Sequence, residues 1–291
     1  MAQGQAPGLP AVSLAYERHG TGEPVVLLHG LGHRRQAWDP VLPHVVAERE
    51  AVAFDLPGFG QSPDPDPAVP RDLPTTVAMF GSVFAALGLE RPHVVGHSLG
   101  GLVALRLGQA GLARSVTALA PAGFWTEAER RYAFAALHTV RRGSRILPEA
   151  MLRTPADAEP GTAVRGRAVQ GLRSRCLPPA VVADIVAMRD AAGFDSVLRA
   201  GRTRGLFTGD IPGIPVTIVW GSRDRLLPRW QSGRLQAMIP GARQIVLAGC
   251  GHVPFRRAPE LVARVILEGT RADAPPADFP LDAPAPGGGS P

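Results

Sequence analysis

The stretch VVGHSLGG, residues 94–101, places one serine between glycines directly after an apolar, valine-rich run. The pattern predicts a strand, a sharp turn and then a helix, because glycine fits where a side chain would collide with the neighbouring strand or helix. A serine at the apex of such a turn is held exposed and strained. Ser98 is therefore a candidate nucleophile, with an ordinary turn serine as the alternative.

Short runs rich in valine and isoleucine alternate with longer helical patterns on both sides of this turn. Such alternation is typical of a mostly parallel sheet with helices between its strands. The predicted strands are 12–17, 25–29, 51–55, 93–96, 116–120, 216–220 and 244–247. The predicted helices are 38–48, 75–87, 99–109, 230–238 and 259–268.

The alternation stops at Pro121 and resumes at Pro215. Amphipathic patterns at 127–140 and 179–191 lie between them without a convincing strand, which predicts a helical insertion at the end of the sheet. The tail is rich in Ala, Pro, Gly and Asp and is predicted to be disordered. The resulting division is a core in two parts, 1–122 and 213–270, a helical insertion, 123–212, and the tail, 271–291.

All 31 basic residues are arginines, which fits the codon preference of a GC-rich genome. Between Gly123 and Thr208 there are 14 arginines and 8 acidic residues, so this segment holds the whole formal net charge of +6. No zinc-ligand spacing or RNA-binding aromatic pattern accompanies it, and nucleic acid is not expected as a partner. The segment is interpreted as a solvated helical surface or, alternatively, as a surface for an anionic partner such as an acidic or carrier-linked substrate or an anionic membrane.

The first twenty residues contain no basic stretch followed by an apolar one, and no window approaches the length of a membrane span. The two cysteines, Cys176 and Cys250, lie far apart in the chain, so a disulfide framework has no support. We therefore expect a cytoplasmic protein in which Cys250 is a buried packing residue. The oligomeric state is left open.

A serine hydroxyl needs a base to take its proton and an acid to orient that base. His252 follows the last predicted strand, and Asp224 follows the strand before it. Both loops leave the carboxyl edge of the sheet, where open parallel sheets carry their chemistry. Ser98, Asp224 and His252 are the candidate catalytic residues. Among the other histidines, His29 is assigned a loop-organising role and His97 packing within the turn, while surface or packing roles are expected for His19, His33, His44, His93 and His138.

Attack on a carbonyl creates negative charge that needs preset donors. The backbone N–H of Leu99, directly after the serine, is one candidate. The second is the N–H of Leu31 in the glycine-containing loop after strand 25–29. An apolar acyl pocket is predicted from Trp38, Phe124, Trp125, Phe134, Phe207 and Phe255, with core packing as the alternative for most of them.

Five segments together resemble the α/β-hydrolase superfamily, in a form with a serine nucleophile: LLHGLG (27–32), FDLPGFGQS (54–62), GHSLGG (96–101), WGSRDRLLP (220–228) and GCGHVPF (249–255). The chain order Ser, Asp, His is that of this fold. The resemblance covers residues 11–122 and 213–268. It implies an α/β-hydrolase fold with a twisted, mostly parallel sheet of about eight strands, helices on both faces, a helical cap at 123–212, and catalysis without a metal or organic cofactor.

The activity implied is cleavage of an ester, thioester or lactone of a small-molecule substrate through an acyl-enzyme. Chloride-releasing and epoxide-opening relatives usually place an aspartate at the turn, so Ser98 argues against both. Residues 121–124, PAGF, offer no acid after strand 116–120, which favours Asp224. Carbon–carbon bond hydrolysis, perhydrolysis, lyase or cyclase chemistry and a non-catalytic ligand-binding role remain alternatives.

Overall fold

The structure is a computed structural model that describes residues 1–147, 179–202 and 206–271. Its strands are β1 (Ala2–Gly4), β2 (Val12–Leu14), β3 (Tyr16–His19), β4 (Pro24–Leu28), β5 (Glu50–Phe54), β6 (His93–His97), β7 (Ser115–Leu119), β8 (Val216–Gly221) and β9 (Arg243–Leu247). Seven strands form the main sheet in the order β3–β5–β4–β6–β7–β8–β9, and β1 pairs with β2 separately. Only the β3–β5 pairing of the main sheet is antiparallel within the described residues.

Eight α-helices surround the sheet in the described ranges. They are α1 (Leu42–Val45), α2 (Leu73–Ala86), α3 (Leu99–Gln109), α4 (Glu127–Ile146), α5 (Pro179–Asp190), α6 (Phe194–Ala200), α7 (Gln231–Met238) and α8 (Pro259–Gly269). Short 3-10 helices cover Arg35–Trp38 and Pro254–Arg256. None of the described helices combines the length and the apolar character that crossing a membrane requires.

The sheet separates two apolar cores. Along β4, Val26 and Leu28 belong to the core on the side of α2 and α3, whereas Val25 and Leu27 belong to the core on the side of α8. This alternation is the period of two expected for a strand that is buried on both faces. The valine-rich runs of the sequence are therefore central strands of a sheet covered by helices on both sides.

The α/β fold with a mostly parallel sheet is confirmed, although the main sheet has seven strands rather than about eight. Most predicted elements are present to within a few residues, and helix 99–109 has the predicted bounds. Strand β1 and helix α6 were not predicted. Cys250 is buried, as expected. Segment 148–178 with Cys176, residues 203–205 and the tail from residue 272 lie outside the described residues.

The prediction of one strand at 12–17 is wrong, because the ladder breaks at Ala15. The Ala15 N–H donates to Ser62 Oγ at 2.8 Å, and the Ala15 carbonyl accepts from the Asp55 N–H at 2.9 Å. These bonds belong to neither strand ladder. As a result β2 pairs with β1, and β3 joins the edge of the main sheet.

The prediction of one helix at 38–48 is also wrong. The structure has a 3-10 turn at Arg35–Trp38 and a single α-helical turn, α1. Pro40 and Pro43 interrupt the segment, since proline lacks the N–H that a continuing helix would need. Pro43 is tolerated because it lies in the first turn of α1.

Helices α4, α5 and α6, which we call the β7–β8 helices, follow β7 and precede β8. Glu129 in the first turn of α4 joins them to α7. Its carboxylate accepts hydrogen bonds from the Thr126 N–H at 2.6 Å, from Trp230 Nε1 at 2.6 Å and from the Arg234 guanidinium. Partial burial opposes ionisation, but these donors outweigh it and lower the pKa of Glu129 to about 2.

Glu129→Gln is expected to lower the free energy of unfolding at pH 7 by about 1–3 kcal/mol, because the amide cannot replace a charged acceptor of three donors. The lowered pKa means that the ionised carboxylate stabilises the fold above about pH 4.5 and that this contribution is lost as pH falls toward about 2. Denaturant unfolding at pH 7 and at acid pH measures both effects.

Glu90→Gln is the matched control, because Glu90 is exposed. The difference in unfolding free energy between wild type and Glu129→Gln should shrink as the pH falls, while Glu90→Gln should stay close to wild type. A difference that is constant from pH 7 to pH 3 would contradict this role of the Glu129 charge.

Candidate active site

Ser98 lies at the turn between β6 and α3 in a conformation that side chains rarely adopt. Its φ is 52° and its ψ is −111°. The flanking glycines are needed because a Cβ at Gly96 would lie 2.0 Å from the Gly100 carbonyl oxygen, and one at Gly100 would lie 2.3 Å from the Leu28 oxygen. Because α3 approaches β4 and β6 so closely, only glycine fits at positions 96 and 100, and the serine between them is held in a strained backbone conformation.

Asp224 and His252 meet at the carboxyl edge of the sheet. His252 Nδ1 lies 2.8 Å from Asp224 Oδ2, and the Asp224 side chain is fully buried. Oδ1 of Asp224 accepts the N–H groups of Leu226 and Leu227, both at 2.9 Å. Because a carboxylate only accepts, Nδ1 of His252 carries a proton, and in the neutral form of the ring Nε2 is then the lone-pair acceptor.

The loops that carry these two residues are fastened to each other. The Arg223 N–H donates to the Cys250 carbonyl at 2.8 Å, and the Gly249 N–H donates to Ser222 Oγ at 2.9 Å. A Cβ at Gly221 would lie 2.3 Å from the Gly251 oxygen, so the His252 loop rests directly on the end of β8. The Asp224–His252 geometry is therefore supported by close contacts between the two loops, most of which involve backbone atoms.

His97, which precedes the serine, links the turn to His252. His97 Nε2 lies 2.7 Å from the His252 carbonyl oxygen, and the two rings are 4.8 Å apart between centroids. Burial first, and then repulsion from His252, lower the pKa of His97 well below its ordinary value. His97 is thus a neutral hydrogen-bond donor that holds the His252 backbone beside Ser98.

His33 also stacks on His97, with 5.9 Å between ring centroids. Desolvation within this cluster and repulsion from His29 and His252 lower the pKa of His33 to about 3. His33 therefore stays neutral at physiological pH. The sequence predicted only surface or packing roles for His33 and packing for His97, because a bond between distant loops leaves no local signal.

The two predicted oxyanion donors lie at the start of α3 and in the loop after β4. Leu99 is the first residue of α3, where N–H groups have no intrahelical partner. Leu31 lies in the loop after β4, and β4 is adjacent to β6 in the sheet. Gly30 brings the loops together, since a Cβ there would lie 3.3 Å from the Ser98 Cβ.

His29 connects the Leu31 loop to the segment after β5. Its Nε2 accepts the Leu56 N–H at 2.9 Å, and its Nδ1 lies 2.8 Å from the Gly30 carbonyl. The same segment contains a buried ion pair between Asp55 and Arg35 that the sequence did not indicate. These contacts give His29 the loop-organising position that its place in LLHGLG suggested.

Ser98 opens onto a cavity of about 260 Å³ with mostly apolar walls. Leu99 and Leu102 of α3 form one side, and the β7–β8 helices supply another through Phe134 and Leu137. His252 is not part of the cavity wall, and no hydrogen bond joins Ser98 Oγ to His252 Nε2 among the described residues. Hydrogen bonds of this kind are often loose in unliganded sites and tighten when substrate binds.

Of the six aromatic residues predicted for the pocket, Trp125 and Phe134 line the cavity. The other four do not. Trp38 and Phe255 pack on each other, 5.0 Å between centroids, in the core on the side of α8. Phe124 and Phe207 pack together in the core on the other side. Core packing, the alternative named for most of these residues, is therefore what the structure has for these four.

Comparison with known proteins gives the same fold. The model of the alpha/beta hydrolase family matches residues 25–265, most of the chain. The chain belongs to the alpha/beta hydrolase family. Ser98, the loops of Asp224 and His252, and the cavity therefore lie on a fold whose family is one of hydrolases.

Two relatives and one solved structure illustrate the similarity. Epoxide hydrolase EphH of Mycobacterium tuberculosis is 33% identical over 187 residues, which covers 62% of this chain and 86% of EphH. RutD of Escherichia coli, named a putative carbamate hydrolase, is 29% identical over 257 residues. The matched region covers 84% of this chain and 90% of RutD. The structure of a thermophilic esterase from Thermogutta terrifontis shares the fold, with a TM-score of 0.63 and 22% sequence identity. The superposition covers 91% of this chain and 96% of the esterase.

In this alpha/beta hydrolase the β7–β8 helices contact three loops at the edge of the site. Asp184 of α5 forms an ion pair with Arg256, which follows the His252 loop. The Gly193 N–H donates to the Gly58 carbonyl at 2.9 Å. Met188 lies so close to Gly32 that a Cβ there would be 2.4 Å from its thioether. The described residues contain no cluster of three or more potential metal ligands.

Proposed function

We propose that this alpha/beta hydrolase cleaves a carboxylic ester, thioester or lactone with Ser98 as nucleophile, His252 as base and Asp224 as the acid that orients the base. The observation that carries the proposal is the hydrogen-bonded pair of the buried Asp224 and the partly buried His252. His97 ties this pair to the turn of the strained Ser98, which opens onto an apolar cavity. A polar reactive atom in an otherwise apolar cavity suits an acyl group that is attacked at one end.

In the proposed mechanism, Ser98 Oγ attacks the substrate carbonyl while its proton passes to His252 Nε2. Asp224 keeps Nδ1 protonated and stabilises the imidazolium that forms. The N–H groups of Leu31 and Leu99 are proposed to bind the oxyanion. The leaving alcohol or thiol then takes the proton, and a water activated by His252 releases the acid from Ser98.

We further propose that residues 123–212 act as a cap on the core parts 1–122 and 213–270. Support comes from α4 and α6, whose residues Phe134, Leu137 and Leu198 line the same cavity as Ser98. The ion pair between Asp184 and Arg256 gives this segment a contact beside the catalytic loops. Differences in acyl preference between variants should therefore map to this segment.

The name of the relative EphH raises epoxide opening as a competing reaction. A carboxylate nucleophile that opens an epoxide forms an ester, which water can cleave to regenerate the enzyme. A serine that opened an epoxide would form an ether, which water does not cleave under these conditions. Ser98 therefore favours acyl transfer, whose ester intermediate turns over.

The test is a panel of p-nitrophenyl esters, acyl-thioesters and lactones of varied chain length, with styrene oxide and a vinylogous 1,5-diketone as competing substrates. We expect turnover of at least one acyl substrate and none of the epoxide. Hydrolysis of the diketone alone would replace the proposal by carbon–carbon bond cleavage. Absence of any turnover, in protein that also fails to react with a fluorophosphonate, would favour a ligand-binding protein and overturn the proposal.

A further inference from the structure

The face of α3 that lines the cavity carries one charged residue. Leu99, Leu102 and Arg106 are spaced three and four residues apart, so they lie on one side of the helix, and all three line the cavity. An apolar residue at the third position would continue the stripe and complete an apolar wall. An arginine there adds a cationic residue to this wall, about two helical turns beyond Ser98.

Arg106 is held in place by uncharged partners. Its Nη1 donates to Gln109 Oε1 at 2.6 Å, and Gln109 Nε2 donates to the Thr208 carbonyl at 2.7 Å. No carboxylate of the described residues forms an ion pair with Arg106. Among the described residues, Nη1 is therefore the guanidinium nitrogen with a hydrogen-bond partner, which leaves the remaining N–H groups for a ligand.

The other two charged residues described on the cavity wall already have a carboxylate or backbone partner, although Arg71 Nη1 is buried without a hydrogen bond. Arg71 donates to Asp64 Oδ1 at 2.8 Å and to the Pro65 carbonyl at 3.1 Å. The Asp72 carboxylate accepts the Thr75 N–H at 2.8 Å as the cap of α2. An arginine beside apolar walls is costly to desolvate unless an anion pairs with it. Among the described residues, Arg106 is thus the cation on this wall that has no carboxylate partner, and a ligand could supply one.

We propose that Arg106 binds a carboxylate at the distal end of the acyl chain, so that the substrates are esters or thioesters of linear dicarboxylic acids. The inference rests on the proposed function of Ser98. Arg106 follows Ser98 by eight positions along α3, which is about 12 Å along the helix axis. Leu102 and Leu137 line the cavity and suit a methylene chain over that length. A guanidinium pairs with a carboxylate in two parallel hydrogen bonds.

The kinetic test compares mono-p-nitrophenyl esters of linear dicarboxylic acids, roughly six to ten carbons long to match the helix span, with p-nitrophenyl esters of methyl-terminated acids of equal length. Wild type should prefer the carboxylate-terminated ester in kcat/KM by about tenfold or more. Arg106→Met should reduce this preference at least tenfold, and Arg106→Lys should restore part of it. Arg264→Met, an exposed site on α8, is the matched control and should keep the wild-type preference.

A binding measurement makes the inference independent of turnover. Calorimetry with the monomethyl ester of the best dicarboxylic acid is carried out on Ser98→Ala and on Ser98→Ala with Arg106→Met. We expect Kd to rise at least tenfold in the double variant. If wild type hydrolyses no ester but this rise in Kd is observed, the result would overturn the proposed ester hydrolysis and support the carboxylate site at Arg106. Equal Kd values, or a wild-type preference for the methyl-terminated ester, would overturn the carboxylate site while leaving the ester hydrolysis intact.

Discussion

Ser98→Ala is expected to lower kcat/KM for the best ester substrate by at least about 10⁴-fold, because removing a serine nucleophile abolishes the acyl-enzyme route. The remaining rate should come only from substrate binding and the oxyanion donors. The measurement is release of p-nitrophenol by purified wild type and variant under identical conditions. Ser232→Ala, a serine on α7 away from the cavity, is the matched control and should retain wild-type activity.

The same variant should fold normally, because alanine keeps the Cβ that strains the turn and Ser98 makes no side-chain cap for α3. Ser98→Gly should instead unfold at higher denaturant, since glycine adopts a φ of 52° without strain. Activity of Ser98→Ala above about a tenth of wild type would contradict the assigned role of the serine.

The second large effect is expected on kcat, in the variants His252→Ala and Asp224→Asn. We expect kcat to fall by about 10⁴-fold for the histidine variant and by about 10³–10⁴-fold for the asparagine variant. In Asp224→Asn the side-chain amide can donate to Nδ1, which stabilises the tautomer in which Nε2 carries the proton and cannot act as base. His44→Ala, an exposed histidine in α1, is the matched control.

The losses of catalytic rate caused by the two substitutions should not be additive. If Asp224 acts only through His252, the double variant Asp224→Asn with His252→Ala should be about as slow as His252→Ala alone. Asp224→Ala should in addition reduce the free energy of unfolding by about 1–3 kcal/mol, because the N–H groups of Leu226 and Leu227 lose their acceptor. A double variant slower than His252→Ala by a further 10³-fold would show that Asp224 acts independently.

Those features of the fold and the candidate site that depend on local pattern could be predicted from the sequence. The valine-rich runs set the strands, and the topology of a parallel sheet then brought Asp224 and His252 to one edge, 2.8 Å apart. The turn at Ser98 was readable for the same reason, because Gly96 and Gly100 are needed wherever α3 passes this close to β4 and β6.

Features that depend on contacts between distant segments could not be predicted. The hydrogen bond from His97 to the His252 carbonyl spans 155 residues, and nothing in GHSLGG distinguishes it from packing. Phe255 and Trp38 were candidates for the pocket because they are aromatic, but which face of the sheet they occupy depends on register and helix placement. Arg106 was not singled out, since its significance appears only when Leu99 and Leu102 are seen to line a cavity.

The most direct test of the central proposal is rapid acid quench during turnover of an activated ester, followed by mass spectrometry of the intact protein and of its peptides. Wild type is predicted to gain the mass of one acyl group, located on the peptide that contains Ser98, and His252→Ala and Ser98→Ala should gain none at the same time point. Turnover without any covalent adduct, or an adduct on a residue other than Ser98, would contradict the assignment of Ser98 as the nucleophile.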